Sequence, residues 1–547
     1  MNKQPEKKLL PTITAEQLRA ELLAKREIAI LDVREEAIHA EGHPLFAANL
    51  SLSRLEIEAY ARLPRRDVPI VVFDDGEGYA AIAAERFSEL GFTEVSLLED
   101  GLQGWRDAGF EIFRDVNSPS KAFGELVEAR LHTPSLPADE VQRLIESNAD
   151  IVVVDVRRYD EFQTMSIPTA FSVPGAEVVY RLQDIAQRPS TRVIVNCAGR
   201  TRGFIGTQSL INAGLPNQVS ALRNGTIGWK LAQQSLDHGA SRSLPAPDEN
   251  LRALAAASAR RVADAANVAR ASLAEAQAWR RSGKRTVYLF DVRTPEEFLA
   301  GHAPGFLSAP GGQLVQETDM FAPVRGAQIV LSDDDGVRAN MTASWLAQMN
   351  WDVFVTEPLS EMDLTIRGLE VPPSPPLPNI PASSLISSDT LASWCDDPAS
   401  TTVILDFTPS REYCKGHIPG ARFALRSRME EALESSRDAD RFVVTASSYL
   451  AARLASNELA SRVERPVFVL DGGNLAWQSA GHPVERHPAN FASQPVDYYR
   501  RPYEGTDASP EAMQAYLDWE FSLVAQLERD GTHGFWVLSD ARNGRTA

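Results

Sequence analysis

The chain has little of what an extracellular or membrane protein is built from. Three cysteines, Cys197, Cys395 and Cys414, are spread over 547 residues and none stands in a C-x-x-C pair, which excludes a disulfide framework. No stretch approaches the roughly 18 consecutive apolar residues of a membrane-spanning helix. The opening MNKQPEKKLL carries positive charge without the apolar region of a secretory leader. A cytoplasmic protein with no membrane partner is therefore expected. Basic charge is also short: 55 Lys and Arg face 74 Asp and Glu, a net charge of −19. That balance repels a phosphate backbone, so nucleic acid is not an expected partner.

What is present is ordinary globular composition, 44% hydrophobic and 24% charged, in a chain long enough for three or four domains at about 150 residues each. Four segments share one grammar: AILDVREEAIHAEGH, VVVDVRRYDEFQTMS, YLFDVRTPEEFLAGH and VILDFTPSREYCKGH. Each is a β-rich apolar run ending in Asp32, Asp155, Asp291 or Asp406 and followed by a helix-prone stretch. A second apolar run (PIVVFDD, RVIVNCA, QIVLSDD, RFVVTAS) follows at a nearly constant interval and ends at Asp74, Cys197, Asp333 or Ala446. A G-x-x-x-W-like element comes next, GLQGW, GTIGW and GNLAW, ending at Trp105, Trp229 and Trp477, and the third repeat has no counterpart. Strand runs alternating with helical patterns predict α/β units, each a mainly parallel sheet covered by helices on both faces.

The expected domains are 9–116, 130–237, 262–371 and 382–488, with a tail over 489–547. The Ala-rich stretch before the third repeat predicts a helical connector, and the Pro-rich GLEVPPSPPLPNIP before the fourth an extended spacer. In the tail, Ser509 and Pro510 open a helix. Its apolar face is predicted to hold Met513, Tyr516, Leu517, Phe521, Val524 and Leu527 and to dock on another element.

One loop has the makings of chemistry. After the strand VIVN the second repeat reads Cys197, Ala198, Gly199, Arg200, Thr201, Arg202, Gly203, and a helical pattern follows. Loops after parallel strands are where such sheets bind ligands. A cysteine at a helix N-terminus beside two arginines is set for a lowered thiol pKa. The small residues let the backbone curl so that N–H groups face an anion.

With its DVR segments, the GHAPG and GHIPG turns, the CAGRTR loop and the G-x-x-G-W element, the sequence resembles the rhodanese family of sulfurtransferases over four successive domains, roughly residues 9–488. The resemblance implies that Cys197 takes the sulfane sulfur of thiosulfate or a related donor as a persulfide and passes it to cyanide or a thiol. The N–H groups of residues 198–203 would stabilise the persulfide while Arg200 and Arg202 hold the donor. No metal or organic cofactor is called for. Covalent catalysis explains the cysteine, because one hard transfer becomes two easier ones.

The other repeats carry Asp74, Asp333 and Ala446 at the Cys197 position, and none of these can hold a persulfide. The acidic loops DDGEGY and DDDGVR would repel an anionic donor, so one active and three inactive domains are expected. His43, His302 and His417 are read as structural turn residues, and Ser166 replaces them in the second repeat. Cys395 and Cys414 are read as ordinary small residues. Phosphatases on this fold carry C-x5-R, whereas Cys197 and Arg202 form C-x4-R, so the shorter cradle favours sulfur. The alternative reading is a sulfur carrier or interaction scaffold that hands sulfur to a protein acceptor.

Overall fold

The computed structural model describes residues 10–245, 247–370, 374–397, 399–487 and 490–538. The expected boundary residues 9, 371, 488 and 489, and residues 539–547 of the tail, lie outside them. In the second repeat the strands Ser135–Leu136, Val219–Leu222, Arg192–Asn196, Ile151–Asp155 and Phe171–Ser172 lie side by side in that order, all parallel. The other repeats have the same order and direction. The two central strands are Val- and Ile-rich, and each buries its last four residues. β-branched side chains fit a pleated surface covered on both sides.

From Ile151–Asp155 the chain continues to one side of the sheet, and from Arg192–Asn196 to the other. The crevice at the carboxyl ends of these two strands is thus the topological switch point. Cys197 stands at its edge.

Three of the repeats pin the first central strand with a D-x-R pair. Asp32 with Arg34, Asp155 with Arg157 and Asp291 with Arg293 are buried ion pairs at 2.6, 2.7 and 2.6 Å. In the fourth repeat Thr408 replaces the arginine and its amide donates to Asp406. The three histidines are buried: Nδ1 of His43, His302 and His417 lies 2.8–3.0 Å from a carbonyl of Pro44, Phe298 and Tyr413. Each pairs through its backbone with Phe113, Ile366 or Glu485, and Ser166 makes the same bridge to Asp237. The backbone arrangement therefore persists without the imidazole.

The repeats associate in pairs. Arg426 of the fourth reaches Glu56 of the first at 2.8 and 3.0 Å. In the second, Gly175 abuts Gly312 of the third, and the Trp345 indole donates to Ser209 at 2.9 Å. Val324–Arg325 of the third repeat also adds an antiparallel edge strand to the first sheet.

The connector before the third repeat is helical over Glu249–Ala265. The third repeat forms only turns where the others carry the tryptophan helix.

Two further helices among the described residues lie outside the repeats. One, Ser118–Leu131, joins the first and second repeats and was not foreseen; its first ten residues are buried. The other is Pro510–Asp530, capped by Ser509 as expected. Its buried face contains Met513, Tyr516, Leu517 and Leu527 but also Glu520 and Leu523, while Phe521 is 54% exposed and Val524 only partly buried. The docked stripe is turned from the apolar one because the helix packs along Ser118–Leu131 and over Ala198, where polar groups are enclosed with the apolar ones.

Candidate active-site loop

The loop is built from behind by the G-T-I-G-W segment. Thr226 donates to the Cys197 carbonyl through its amide (2.9 Å) and its hydroxyl (3.0 Å), and the Ile227 amide donates to the Ala198 carbonyl (2.9 Å). Gly225 sits at φ +55°, and a Cβ there would stand 2.5 Å from the Cys197 carbonyl oxygen. Only glycine fits this contact. Trp229 anchors the segment, fully buried, with its indole donating to the Ser235 carbonyl at 2.7 Å.

Cys197 is 2% exposed. Gly203 packs against the thiol, where an added Cβ would lie 3.2 Å from Sγ, and its amide favours the thiolate. The helix Thr201–Ala213 starts within the loop. No amide of residues 198 to 202 is taken up by another backbone or side-chain group among the described residues. A ring of free donors at a helix N-terminus favours an anion.

The arginines are engaged differently from the expectation. Both ends of the Arg200 guanidinium bind Glu125 at 2.8 Å. Its third nitrogen reaches Asn224 at 3.1 Å, and its plane lies 4.1 Å from the Phe521 ring centre. Arg202 is paired with Glu161 at 2.7 and 2.9 Å. Burial would raise Glu161, but Arg202, backed by Arg157 and Arg158, holds it at about 2. The two cations thus frame the loop while already neutralised.

The thiol also differs from the expectation. Burial pushes Cys197 up to about 12, and Glu520 and Asp155 add to the rise; Arg202 and the Gly203 amide oppose it. Proximity to arginine suggested a lowered value, but in this closed arrangement loss of hydration outweighs it.

Glu125, Glu161 and Glu520 were not anticipated. Glu161 carried a faint signal, since it and Glu297 hold equivalent places before Arg202 and Arg338, which the structure pairs. Glu125 and Glu520 carried none, because they come from other segments. A cavity of about 310 Å³ lies between the second and third repeats, lined by Arg158, Arg293 and Arg338 with Asp160, Glu177 and Glu296. A smaller neighbouring cavity reaches Thr201 and Arg202.

In the first and third repeats the corresponding loop is closed from within. Asp74 accepts from the amides of Gly76 and Ala80 at 3.1 and 2.9 Å. Asp333 accepts from those of Gly336 and Ala339 at 3.0 and 2.8 Å. Ala446 has no polar group to offer.

Comparison with known proteins gives a consistent set of likenesses. The family model described as rhodanese-like domain matches residues 14–108, 137–232, 272–357 and 387–480. A crystal structure of a thiosulfate sulfurtransferase from Pseudomonas aeruginosa superposes with a TM-score of 0.94 at 58% identity, covering 96% of this chain and 100% of that one. The thiosulfate sulfurtransferase GlpE of Coxiella burnetii is 31% identical over 86 residues, which are 16% of this chain and 78% of that protein.

Proposed function

The chain belongs to the rhodanese-like domain family, and from that premise we propose that it is a thiosulfate sulfurtransferase working through a persulfide on Cys197. The observation that carries the reading is Cys197 at the foot of a loop whose amides at residues 198–202 are bound by no other described group, with Gly203 packed against Sγ. In the first half-reaction the Cys197 thiolate, its proton released to solvent, attacks the sulfane sulfur of thiosulfate. A bond forms between Sγ and that sulfur, the bond to the sulfonate sulfur breaks, and sulfite leaves with the electron pair. In the second, cyanide or a thiolate attacks the outer persulfide sulfur; the S–S bond breaks, and the Cys197 thiolate returns. The role proposed for the amides of residues 198–203 is to receive the negative outer sulfur. Arg200 and Arg202, each paired with a carboxylate, set the field around the loop and hold its shape more than they clamp the donor.

On this proposal the domain spanning 130–237 is active, and those at 9–116, 262–371 and 382–488 are inactive. A second reading is favoured by the burial of Cys197 beneath the C-terminal helix: sulfur passes mainly to a protein thiol that docks there, with slow turnover of small acceptors. The test is intact mass after incubation with thiosulfate, followed by thiocyanate release on adding cyanide. A gain of one sulfur atom in the wild type but not in Cys197→Ser, with thiocyanate formed, is the expected result. An unmodified wild type would remove thiosulfate as the donor. Persulfide formation with slow cyanide turnover but rapid transfer to a protein thiol would select the second reading.

A further inference from the structure

One buried acid beside the loop has no part in these steps. Glu520 lies on the C-terminal helix where it crosses the active-site loop, and it is 1% exposed. Its Oε1 accepts from the Tyr516 hydroxyl at 3.0 Å. Its Oε2 is buried with no hydrogen-bond partner among the described residues. That oxygen rests on the loop itself: a Cβ on Gly199 would stand 3.1 Å from it, and 3.3 Å from a Tyr516 ring carbon.

A carboxyl group in such a place needs a cation or a proton. The groups facing it are Tyr516 on its own helix, Lys121 and Glu125 on Ser118–Leu131, and Arg200 and Cys197 on the loop, with Tyr503 and Asp115 beyond Tyr516. Both cations are committed elsewhere: Lys121 binds Asp115 at 2.6 Å and Arg200 binds Glu125. Burial and then the Glu125 charge push Glu520 up to about 8, against the opposing pull of Lys121, Tyr516 and Arg200. Because Oε1 accepts from Tyr516, the proton belongs on Oε2, the oxygen at the loop.

We propose that Glu520 is the donor-specificity residue of the Cys197 site: its neutral carboxyl donates a hydrogen bond through Oε2 to a sulfur oxyanion seated on the loop, and its ionised form repels doubly charged donors. The proposal rests on the persulfide reading and adds the element that decides which charge of donor enters. It also gives Gly199 a purpose, since any side chain there would lie between the acid and the loop.

The test compares kcat/KM for a dianionic donor, thiosulfate, and a monoanionic one, benzenethiosulfonate, from pH 6 to 10, with thiocyanate as the readout. In the wild type the ratio of thiosulfate to benzenethiosulfonate should fall about tenfold between pH 7 and 9, as the neutral fraction of the acid does. In Glu520→Gln, which is neutral at every pH and keeps a donor, the ratio should no longer change with pH. A wild-type ratio that is constant with pH would overturn the proposal, and so would a Gln variant that keeps the wild-type change. If the variant fails to fold, the two-donor comparison in the wild type decides. Failure of both donors to add sulfur mass at any pH would instead remove the persulfide reading itself.

Discussion

The loops of the second and third repeats differ chiefly in what occupies one amide. In the second, the amide of Gly203, six residues beyond Cys197, lies beside the thiol and favours its ionised form. In the third, the N–H of Ala339, six residues beyond Asp333, binds the aspartate carboxylate at 2.8 Å, and in the first Ala80 does the same for Asp74 at 2.9 Å. The third repeat even keeps an arginine five residues on, Arg338, paired with Glu297 as Arg202 is with Glu161. The first and third loops therefore retain the amide cradle and fill it with a carboxyl group of their own. A carboxyl group in place of the thiol makes a self-satisfied loop, which stabilises the turn without a ligand.

The largest effect expected from this comparison comes from converting one loop into the other. Cys197→Asp should place a carboxylate on the Gly203 amide, remove the nucleophile and lower thiocyanate formation more than about a thousandfold. The melting temperature should change by only a few degrees, as the loop gains the hydrogen bonds that its neighbours already have. Calorimetry beside the cyanide assay checks both; an unfolded variant would show that the second loop cannot accept the arrangement of the third.

A second pair of changes separates support of the loop from chemistry in it. Gly225 and Gly473 are equivalent: at φ +55° and +59°, an added Cβ would stand 2.5 Å from the carbonyl oxygen of Cys197 and of Ala446. Alanine at either position should cost about 2–3 kcal/mol through strain and overpacking. Only Gly225→Ala should also lower kcat/KM, by roughly tenfold or more, because it displaces Cys197, the proposed sulfur carrier. Equal activity loss from Gly473→Ala would show that the fourth repeat takes part in catalysis.

The difference between the loops was readable because it lies in contiguous residues. The spacing from Asp155 to Cys197 and on to Trp229 reflects two adjacent parallel strands and the segment that props the loop, all local to one repeat, so pattern alone placed them. The partners of the loop were not readable. Glu125 comes from the helix before the repeat and Glu520 from a helix near the end of the chain, and no spacing rule connects either with Arg200 or Gly199. Phe521 illustrates the same limit: its apolar character predicted a buried position, yet it lies half in the open over the Arg200 guanidinium. The thiol was misjudged for a related reason, since neighbouring arginines are visible in sequence while the roof that dries the site is not.

That roof makes stability respond to pH through Glu520. Glu520 is held protonated up to about 8 in the fold, against an ordinary value of 4.5. Folding therefore takes up a proton between these values, and the contribution is full below pH 4.5 and lost as pH rises through about 8. Glu520→Gln should remove the dependence. Relative to wild type it should gain about 4 kcal/mol between pH 5 and pH 9, measured by denaturant titration at both. Parallel curves for the two proteins would mean that the carboxyl is already ionised at neutral pH.

The smallest effects should come from the cysteines that resemble Cys197 only in name. Cys395 ends the helix Ser388–Cys395 in the open, and Cys414 caps Ser410–Tyr413 half-buried. Burial raises both thiols, and an acidic neighbour, Asp396 or Asp497, raises each further. With no cradle of free amides and no glycine at the sulfur, neither has a way to stabilise a persulfide. Serine at both positions should change stability by less than about 0.5 kcal/mol each and leave the sulfur mass gain intact. Sulfur lost from the doubly substituted protein would relocate the chemistry from loop geometry to mere thiol exposure, because the exposed cysteine would then be outcompeting the cradled one.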